Sequence, residues 1–351
     1  MKRARQADRG GSVDLVGLLG LVERFAGKRV ILFGDFVADE FQYGDITRVS
    51  REAPVLILRH RETHVMPGGG ANAANNLAAL GARVIPVTAV GEDASGAALL
   101  AYFREKGIDQ SAIVRVKGWT TPTKTRFLAG FAHTVAQQVL RIDREPGRAL
   151  PGSVGDKLRK SLTAKLARAD ALAVSDYGFG VASPETVRQA ASARRKELPV
   201  TLDSRFQLHA YAKAGVTSAT PNEAELEAAH HATIGKDLKQ LERSGLATLR
   251  AMKLDSLLVT RGRDGLALFV RRGPTTHIPV HGSNQAVDVT GAGDTVLAAF
   301  TLALASGGSP LEAAHIANLA GGLVVMKRGT ATVSREELLA AIRAEAGGAA
   351  S

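Results

Sequence analysis

Hydrophobic residues along the chain form short continuous runs, separated by stretches with helical spacing. Runs with the length of a buried strand lie at 29–35, 84–90, 171–176, 200–203 and 257–260. Helical spacing follows most of them, for example at 93–106 and 154–169, and Ser183-Pro184 supplies the cap and first-turn residues of another helix. Strands that alternate with helices in this way predict an α/β fold with a mostly parallel central sheet and helices on both faces.

Two further stretches, 41–66 and 112–142, interrupt this alternation. Both contain short runs in which hydrophobic and polar residues alternate with period two, the pattern of a half-buried strand. We expect them to pair as a small β-sheet lid, the alternative being an antiparallel edge of the main sheet. Residues 25–347 then form one domain, preceded by a basic tail and short helix at 1–24 and followed by a tail at 348–351.

The segment 287–306 carries the clearest chemical signal in the chain. It reads Val-Asp-Val-Thr-Gly-Ala-Gly-Asp-Thr and continues into an apolar helix. A small-residue turn at Gly291, Ala292 and Gly293 leaves unpaired amides at the positive end of that helix, which is a site for phosphate. Asp294, in the first turn, is suited to accept a proton from a hydroxyl group that attacks this phosphate. The alternative is that Asp294 is only a favourable first-turn acid and that the glycines only form a turn.

A second glycine-rich segment, 67–81, opens with Pro67 and three glycines and continues through small residues to a capping glycine. It predicts a helix whose start closely approaches another group. We discount dinucleotide binding, because no acidic residue follows at the distance that contacts a ribose. Asp35, at the end of the first predicted strand, lies where open α/β sheets hold ligands and is a candidate acceptor for sugar hydroxyls. A turn or capping aspartate is the alternative.

Composition limits the classes of function. The chain has 351 residues and a net charge of +11, its basic residues are spread along the sequence, and aromatic residues make up only 5%. The charge therefore favours phosphorylated substrates over nucleic acid, which needs aromatic stacking platforms when it binds as a single strand. Cysteine is absent and no apolar run has the length of a membrane span, so we expect a cytoplasmic protein without a membrane partner. The histidines give no indication of a metal site, because their spacing is not that of metal ligands. This applies to His60, His64, His133, His209, His230, His231, His277 and His281.

The two glycine-rich segments resemble the paired signatures of the ribokinase-like, or PfkB, family of sugar kinases. The matching strings are Gly68-Gly-x-x-Asn72 and Asp288-x-Thr-Gly-Ala-Gly-Asp294. The resemblance covers most of the chain, roughly residues 25–345. It implies a ribokinase-like fold and an enzyme that phosphorylates a sugar hydroxyl with ATP and Mg²⁺. The sequence contains no P-loop motif, which excludes the other common class of phosphate-binding loop.

The resemblance also implies roles for individual residues. Contacts to the sugar are implied for Gly69, Gly70 and Asn72, and contacts to Mg²⁺ through water for Asn222 and Glu225. Contacts to the nucleotide are implied for Thr260, Gly262, Gly265 and Asn318. A monovalent cation such as K⁺ would bind at Asp288 and Thr290. In the alternative interpretation, Asn222 caps a helix and Glu225 is simply solvated.

Several strings within the chain resemble one branch of this family, the bacterial heptose-phosphate kinases. The most specific is Arg48-Val-Ser-Arg-Glu-Ala-Pro-Val55, and Ser175-Asp-Tyr177 also matches. The branch phosphorylates C1 of a heptose 7-phosphate in the synthesis of ADP-heptose for lipopolysaccharide core. Two departures concern phosphate-binding lysines, since Phe179 and Arg205 occupy positions where those kinases usually have lysine.

A substrate that carries its own phosphate requires cations at the end of the sugar far from Asp294. The candidates are Arg48, Arg51, Lys124, Arg126, Arg141 and Arg205. Alternatively, each is only part of the polar face of an exposed strand. Unpaired edges of the lid also predict a homodimer formed through it. The competing functions are a kinase for another sugar or sugar phosphate, a catalytically silent sugar-binding protein and a nucleic-acid-binding protein.

Overall fold

The structure, a computed structural model, describes residues 13–130, 136–282 and 286–348. The predictions made for residues 1–12, for His133 and for residues 349–351 lie outside this part of the chain. Within it, no helix combines the length and the apolar character needed to span a bilayer.

Two sheets contain all the strands of the described chain. The strands are β1 Arg29–Gly34, β2 Phe36–Val49, β3 Leu56–Gly69, β4 Arg83–Gly91, β5 Ile113–Val116, β6 Thr123–Gly130, β7 Gln137–Arg144, β8 Ala171–Asp176, β9 Val200–Ser204, β10 Ser218–Ala219, β11 Ser256–Thr260, β12 Leu266–Val270 and β13 Thr276–Ile278. The central sheet has the order β13-β12-β11-β10-β9-β8-β1-β4-β5, in which β12 runs antiparallel to both neighbours and the other pairs are parallel. The predicted mostly parallel sheet is therefore confirmed.

Helices cover both faces of the central sheet. They are α1 Leu15–Glu23, α2 Gly70–Ala79, α3 Ala94–Glu105, α4 Gly152–Leu166, α5 Pro184–Ala191, α6 Glu223–His230, α7 Leu238–Ala251, α8 Ala292–Ala305, α9 Pro310–Val324 and α10 Arg335–Gly348. Adjacent residues of β1 point to opposite faces, so Leu32 packs in one core with α2, α8 and α9, while Phe33 packs in the other with α4, α5 and α7. Burial on both faces explains why the strands read as continuous apolar runs.

A separate four-stranded sheet has the order β3-β2-β6-β7. The long strands β2 and β3 form a hairpin, and β6 pairs with β2 in parallel and with β7 antiparallel. This is the small sheet expected from segments 41–66 and 112–142. One part of the expectation is wrong, because β5 pairs with β4 and so belongs to the central sheet. Its last residue, Val116, is buried in the core that contains α4, which explains the choice of partner.

Candidate active site

The carboxyl ends of the central strands bring several acidic residues to one edge of the sheet. Asp35 follows β1, Asp176 ends β8 and Asp203 lies at the end of β9. The helices α2 and α8 begin at this same edge and contribute Asn72 and Asp294. Open α/β sheets hold their ligands at the carboxyl ends of the strands. The polar residues therefore converge where a ligand is expected.

The start of α8 is fixed by a glycine in a left-handed conformation. Gly291 precedes the helix with φ +78°, and a Cβ placed on it would lie 2.3 Å from the side-chain nitrogen of Asn72. Farther along, the Thr295 hydroxyl donates to the Asn76 side-chain oxygen at 2.9 Å, which ties α8 to α2. Only glycine permits both this turn and the close approach of α2. The turn thereby sets the position of Asp294.

Asp294 is buried, and each of its carboxylate oxygens accepts one hydrogen bond. The Asn72 side-chain amide donates to Oδ2 at 2.9 Å, and the Tyr177 hydroxyl donates to Oδ1 at 3.0 Å. Burial raises the pKa of Asp294 to about 7, and these hydrogen bonds partly offset the rise. A carboxylate with a pKa near neutrality is suited to accept a proton from a hydroxyl group.

Tyr177 is a site residue to which the sequence reasoning gave no role of its own, although it belongs to the Ser-Asp-Tyr match. Its ring lies against Gly69, where an added Cβ would be 3.2 Å from the ring. Burial and the charge of Asp294 raise the pKa of its hydroxyl well above the usual range, so the hydroxyl acts as a donor. Tyr177 is therefore part of the environment of Asp294.

Asp35 accepts hydrogen bonds from a neighbouring loop, as the capping alternative expects. It is fully buried, and its carboxylate accepts three backbone amides, from Tyr177 at 2.9 Å, Phe179 at 3.1 Å and Val181 at 2.9 Å. Burial raises its pKa to about 6, against the effect of these hydrogen bonds. Asp35 therefore anchors the loop that carries Tyr177, and its role as an acceptor for sugar hydroxyls stays a prediction.

Gly69 and Gly70 join the small sheet to α2. Gly69 has φ +54°, and the amide of Gly70 donates to the Asp35 carbonyl at 3.0 Å. A Cβ on Gly70 would lie 2.9 Å from that carbonyl oxygen. These glycines therefore permit the close approach of two backbones, and they lie beside Asn72 and Tyr177 at the predicted sugar site.

The first turn of α8 offers fewer free amides than the sequence predicts. The Ala292 amide already donates to the Val289 carbonyl at 3.3 Å. No side chain caps α8, so the amides of Gly293 and Asp294 have no partner within the helix. A Cβ on Gly293 would have open space around it. Of the four amides predicted to form the anion site, only that of Ala292 has a backbone partner among the described residues.

An apolar cavity of about 190 Å³ leads to this turn from the side of β11, β12 and α9. All four predicted nucleotide residues line it, namely Thr260, Gly262, Gly265 and Asn318. It is also bordered by Gly293 and by Arg263, which the sequence reasoning missed. Gly265 is required here, because a Cβ would lie 2.1 Å from the Ile278 carbonyl oxygen. The cavity therefore connects a slot suited to an aromatic base with the free amides of α8.

Asn222 and Glu225 form a capping box at the start of α6. The Asn222 side chain accepts the Glu225 amide at 2.8 Å, and the Glu225 carboxylate accepts the Asn222 amide at 2.9 Å. The capping alternative is therefore present in the structure. The Glu225 carboxylate can still accept further hydrogen bonds, because only one of its oxygens accepts the Asn222 amide. Burial raises the pKa of Asp203 well above its usual range, and the nearby Glu225 and Asp294 carboxylates raise it further. Such a crowd of carboxylates favours a cation nearby.

Asp288 joins the two loops that were predicted to hold a monovalent cation. Its carboxylate accepts the amides of Thr290 and Gly329, each at 2.9 Å. Burial raises the pKa of Asp288, but these hydrogen bonds outweigh that effect and leave the pKa below its usual value. The carboxylate therefore stays ionised. Among the described residues, no cluster of three or more His, Cys, Asp or Glu side chains has the arrangement of a metal site.

Two of the predicted phosphate-binding cations, Lys124 and Arg205, form no ion pair within the described chain. The Lys124 ammonium lies 5.4 Å from the centre of the Tyr177 ring. Burial lowers the pKa of Lys124, the nearby Asp39 partly offsets this effect, and the positive charges of Arg205 and Arg141 lower the pKa further. The Arg205 guanidinium lies 5.3 Å from the ring centre of the exposed Phe206. Like charges that face one space indicate an anion site.

The other four candidates do not supply free charge at this point. Arg126 forms a buried ion pair with Asp39 at 2.7 Å, and Arg141 binds both oxygens of Asp143. Arg48 is exposed near the end of β2, roughly 30 Å along the strand from Asp39, and Arg51 lies in the exposed turn that follows. Arg48 and Arg51 thus lie far along the small sheet from Asp39, because β2 is longer than expected, and their contact with a substrate phosphate stays a prediction.

Comparison with known proteins agrees with this geometry. The model of the pfkB family of carbohydrate kinases matches residues 36–337. The curated relatives include the Bifunctional protein HldE of Trichlorobacter lovleyi, 38% identical over 327 residues and 93% of this chain. The Bifunctional protein HldE of Geobacter sulfurreducens is 39% identical over 313 residues and 89% of this chain. This chain spans 65% and 62% of the lengths of these two relatives.

Solved structures share the fold at lower identity. Phosphofructokinase-2 from Escherichia coli in complex with potassium superposes with a TM-score of 0.73 and 19% identity, over 91% of this chain and 99% of that one. Arabidopsis thaliana ribokinase complexed with ribose and ATP gives a TM-score of 0.68 and 22% identity, again over 91% and 99%. The fold is therefore ribokinase-like. With the family match over most of its length, the chain belongs to the pfkB family of carbohydrate kinases, which transfer phosphate from ATP to a sugar hydroxyl.

Proposed function

We propose that this sugar kinase phosphorylates C1 of a heptose 7-phosphate, a step toward ADP-heptose for lipopolysaccharide core. The observation that carries the proposal is Lys124, a cation of the small sheet that lies over the Tyr177 ring and feels the positive charge of Arg205. Each cation has a carboxylate nearby, Asp39 for Lys124 and Glu225 for Arg205, but neither forms an ion pair within the described chain, and a sugar phosphate supplies an anion that both can contact. The strings shared with heptose-phosphate kinases and the similarity to the HldE proteins point to the same substrate.

In the proposed mechanism, the C1 hydroxyl of the sugar replaces the Tyr177 hydroxyl at the Asp294 carboxylate. Asp294 takes the hydroxyl proton as the sugar oxygen attacks the γ-phosphorus of ATP, and the bond from that phosphorus to the bridging oxygen of ADP breaks. The amides of Gly293 and Asp294 stabilise charge on the transferring phosphoryl group. The proton then leaves Asp294 for solvent, which restores the base.

Two cations fit residues on this edge. Mg²⁺ would fit beside Asp203 and Glu225, two carboxylates whose pKa values are raised by burial, and there it would neutralise part of their charge and of the charge of ATP. Since few protein oxygens are available, Asn222 and Glu225 would hold the ion through water. The ionised Asp288, between the loops at Thr290 and Gly329, fits a K⁺ ion. The positive charge of this K⁺ ion would stabilise an anion bound at the adjacent start of α8.

The four-stranded sheet acts as a lid in this proposal. Lys124 of β6 reaches the Tyr177 ring, and Asp39 of β2 lies close enough to Asp294 for its charge to raise that pKa. A lid over the sugar would exclude water, which otherwise competes as the phosphoryl acceptor. We further propose that two copies of the chain pair through their lids, since this sheet has open edges.

The decisive experiment is a kinase assay with ATP over a panel of acceptors. The panel contains heptose 7-phosphate, unphosphorylated heptose, fructose 6-phosphate and ribose, and ³¹P NMR identifies the position that receives the phosphate. We expect heptose 7-phosphate to have the highest kcat/KM and the product to be a 1,7-bisphosphate. A higher kcat/KM for an unphosphorylated sugar would contradict the role of Lys124 and Arg205.

A second candidate function is a kinase for another sugar phosphate, and Phe179 favours it specifically. The amide of Phe179 donates to Asp35, so the residue lies in the loop that carries Tyr177, but its side chain cannot bind phosphate as the usual lysine would. This candidate keeps the anion site and changes the sugar. Preference for fructose 6-phosphate in the same panel would select it.

A further inference from the structure

A basic concave surface lies at the edge of the central sheet opposite Asp294. Parallel strands begin at this edge, and the segments that lead into β9 and β10 form the surface. A cavity of about 340 Å³ there is lined by the basic residues Arg188, Arg194, Lys196 and Lys213. None of the described residues that line it is acidic. The surface is therefore separate from the catalytic edge and carries a concentrated positive charge.

Arg194 is a partly buried cation in the wall of this cavity. Its Nη1 donates to the Gly215 carbonyl at 3.2 Å, and its Nε is buried without a hydrogen-bond partner among the described residues. Burial lowers the pKa of Arg194, and the nearby Asp255, which is itself paired with Arg271, partly offsets this effect. The Arg194 guanidinium is therefore held in place by Gly215 and adds its charge to the cavity.

The charges of the cavity are only partly compensated. Arg188 is paired with Glu185 at 2.7 Å, whereas Lys196 and Lys213 have no ion pair within the described chain. A cation at the carboxyl end of a helix is favourable, and α5 and the 3₁₀ helix Leu208–Lys213 both end here. That effect explains one cation per helix end. It does not explain several cations around one cavity, where they repel each other.

We propose that this cavity binds a small polyvalent phosphate, such as a diphosphate group, at a second site distinct from the catalytic one. Arg194 donates from its guanidinium, and Lys196 and Lys213 supply charge. More than one negative charge is required, because more than one cation is uncompensated. The concave shape and the absence of aromatic residues among the described lining favour a small phosphate over a nucleic-acid backbone.

The test uses inorganic pyrophosphate and isothermal titration calorimetry on the full chain. The double variant Lys196→Gln with Lys213→Gln removes two exposed charges of the cavity. The control, Arg83→Gln with Arg168→Gln, removes two exposed charges from the same edge outside it. We expect the cavity variant to weaken pyrophosphate binding by at least about tenfold and the control by less than about twofold. Both variants keep the catalytic edge intact, so their difference reports this cavity.

A third variant separates hydrogen bonding from charge. Arg194→Lys keeps the positive charge but lacks the planar set of guanidinium donors, and we expect it to weaken pyrophosphate binding by about fivefold or more. Equal weakening by the cavity variant and the control would overturn the proposal, because it would show diffuse attraction alone. Tighter binding of a duplex DNA oligonucleotide than of pyrophosphate would also overturn it. Unchanged kcat in all variants is the check that each one folds.

Discussion

At the scale of the residue, the proposed chemistry depends on the environment of one carboxylate. Asp294 is only 3% exposed, so burial raises its pKa to about 7, while the donors Asn72 and Tyr177 keep the rise within the range of a useful base. An unburied aspartate would be too weak a base to take a sugar hydroxyl proton efficiently. Burial and hydrogen bonding together therefore set its reactivity.

Asp294→Asn preserves the size of the side chain and removes the proton acceptor. We expect kcat to fall by at least about 10²-fold while the Kd for ATP changes little, because the lost interaction belongs to the transition state. Steady-state kinetics and calorimetric ATP titration measure the two quantities. Asp156→Asn, an exposed change on α4, serves as the control and should keep normal kcat. Near-normal turnover in Asp294→Asn would rule out the assigned base.

Tyr177→Phe removes a hydrogen bond that favours the ionised form of Asp294. The acidic limb of kcat/KM should lie near pH 7 in the unaltered enzyme, because Asp294 must be ionised to act and its pKa is about 7. Without the Tyr177 donor this pKa rises, so the limb should move to higher pH, by about one unit. The full pH profile of kcat/KM is the measurement. A purely structural tyrosine would lower the rate at every pH without moving the limb.

Some residues of the candidate site could be predicted from the sequence, whereas contacts between distant segments could not. The signature strings led to Asp294 and Asn72, which the structure joins by a hydrogen bond, and the wider family resemblance led to Thr260, Gly262, Gly265 and Asn318, which line one cavity. The anchoring role of Asp35 was left as one of two alternatives, since the sequence does not show that a distant loop donates three amides to it. The pairing of Arg126 with Asp39 was hidden for the same reason, because it joins two strands of the small sheet.

At the scale of the element, the turn into α8 performs two separate tasks with two glycines. Gly291 allows the backbone to turn beside Asn72, and Gly293 leaves space above the free amides. Gly291 therefore has a structural role, whereas the proposed role of Gly293 is to leave room for a ligand. Substitution of each glycine by alanine should therefore have different consequences, although both lie in one short string.

Gly291→Ala and Gly293→Ala form a matched pair. Gly291→Ala introduces a Cβ at a φ of +78° and against Asn72, so we expect a stability loss of about 1–3 kcal/mol and a large fall in kcat. Gly293→Ala meets no neighbouring atom, so we expect an unchanged Tm but a KM for ATP raised by about tenfold, because the methyl group enters the phosphate space. Thermal unfolding and kinetics provide the measurements. Equal Tm values for the two variants would contradict the division of tasks.

The sequence predicted most elements but not their extent. Apolar runs and caps located the central strands and several helices, because those signals are local. The hairpin of β2 and β3 extends over 14 residues in each strand, longer than the short strands expected, since pairing along the small sheet sustains it. The placement of β5 in the central sheet depends on tertiary packing, which local alternation cannot reveal.

At the scale of the whole molecule, the small sheet has an open edge with apolar side chains. The edge strand β7 is exposed along its whole length, and Leu140 and Ile142 are 52% and 46% exposed. Exposed apolar residues on an unpaired strand favour association with another chain. A second copy of the same sheet offers a complementary edge, since a two-fold interface pairs the same surface of each copy.

Leu140→Glu with Ile142→Glu should convert the proposed dimer into a monomer, because the introduced charges repel across a two-fold interface. Light scattering coupled to size-exclusion chromatography measures the mass directly. Val16→Glu, at a residue that is 72% exposed on α1, is the control and should leave the mass unchanged. The lid that contributes Lys124 would also be less ordered in the monomer, so we expect KM for the sugar phosphate to rise by about threefold or more while KM for ATP stays nearly constant. A monomeric mass for the unaltered chain at micromolar concentration would refute pairing through the lid and leave the catalytic proposal untouched, because every group assigned to phosphoryl transfer belongs to a single chain.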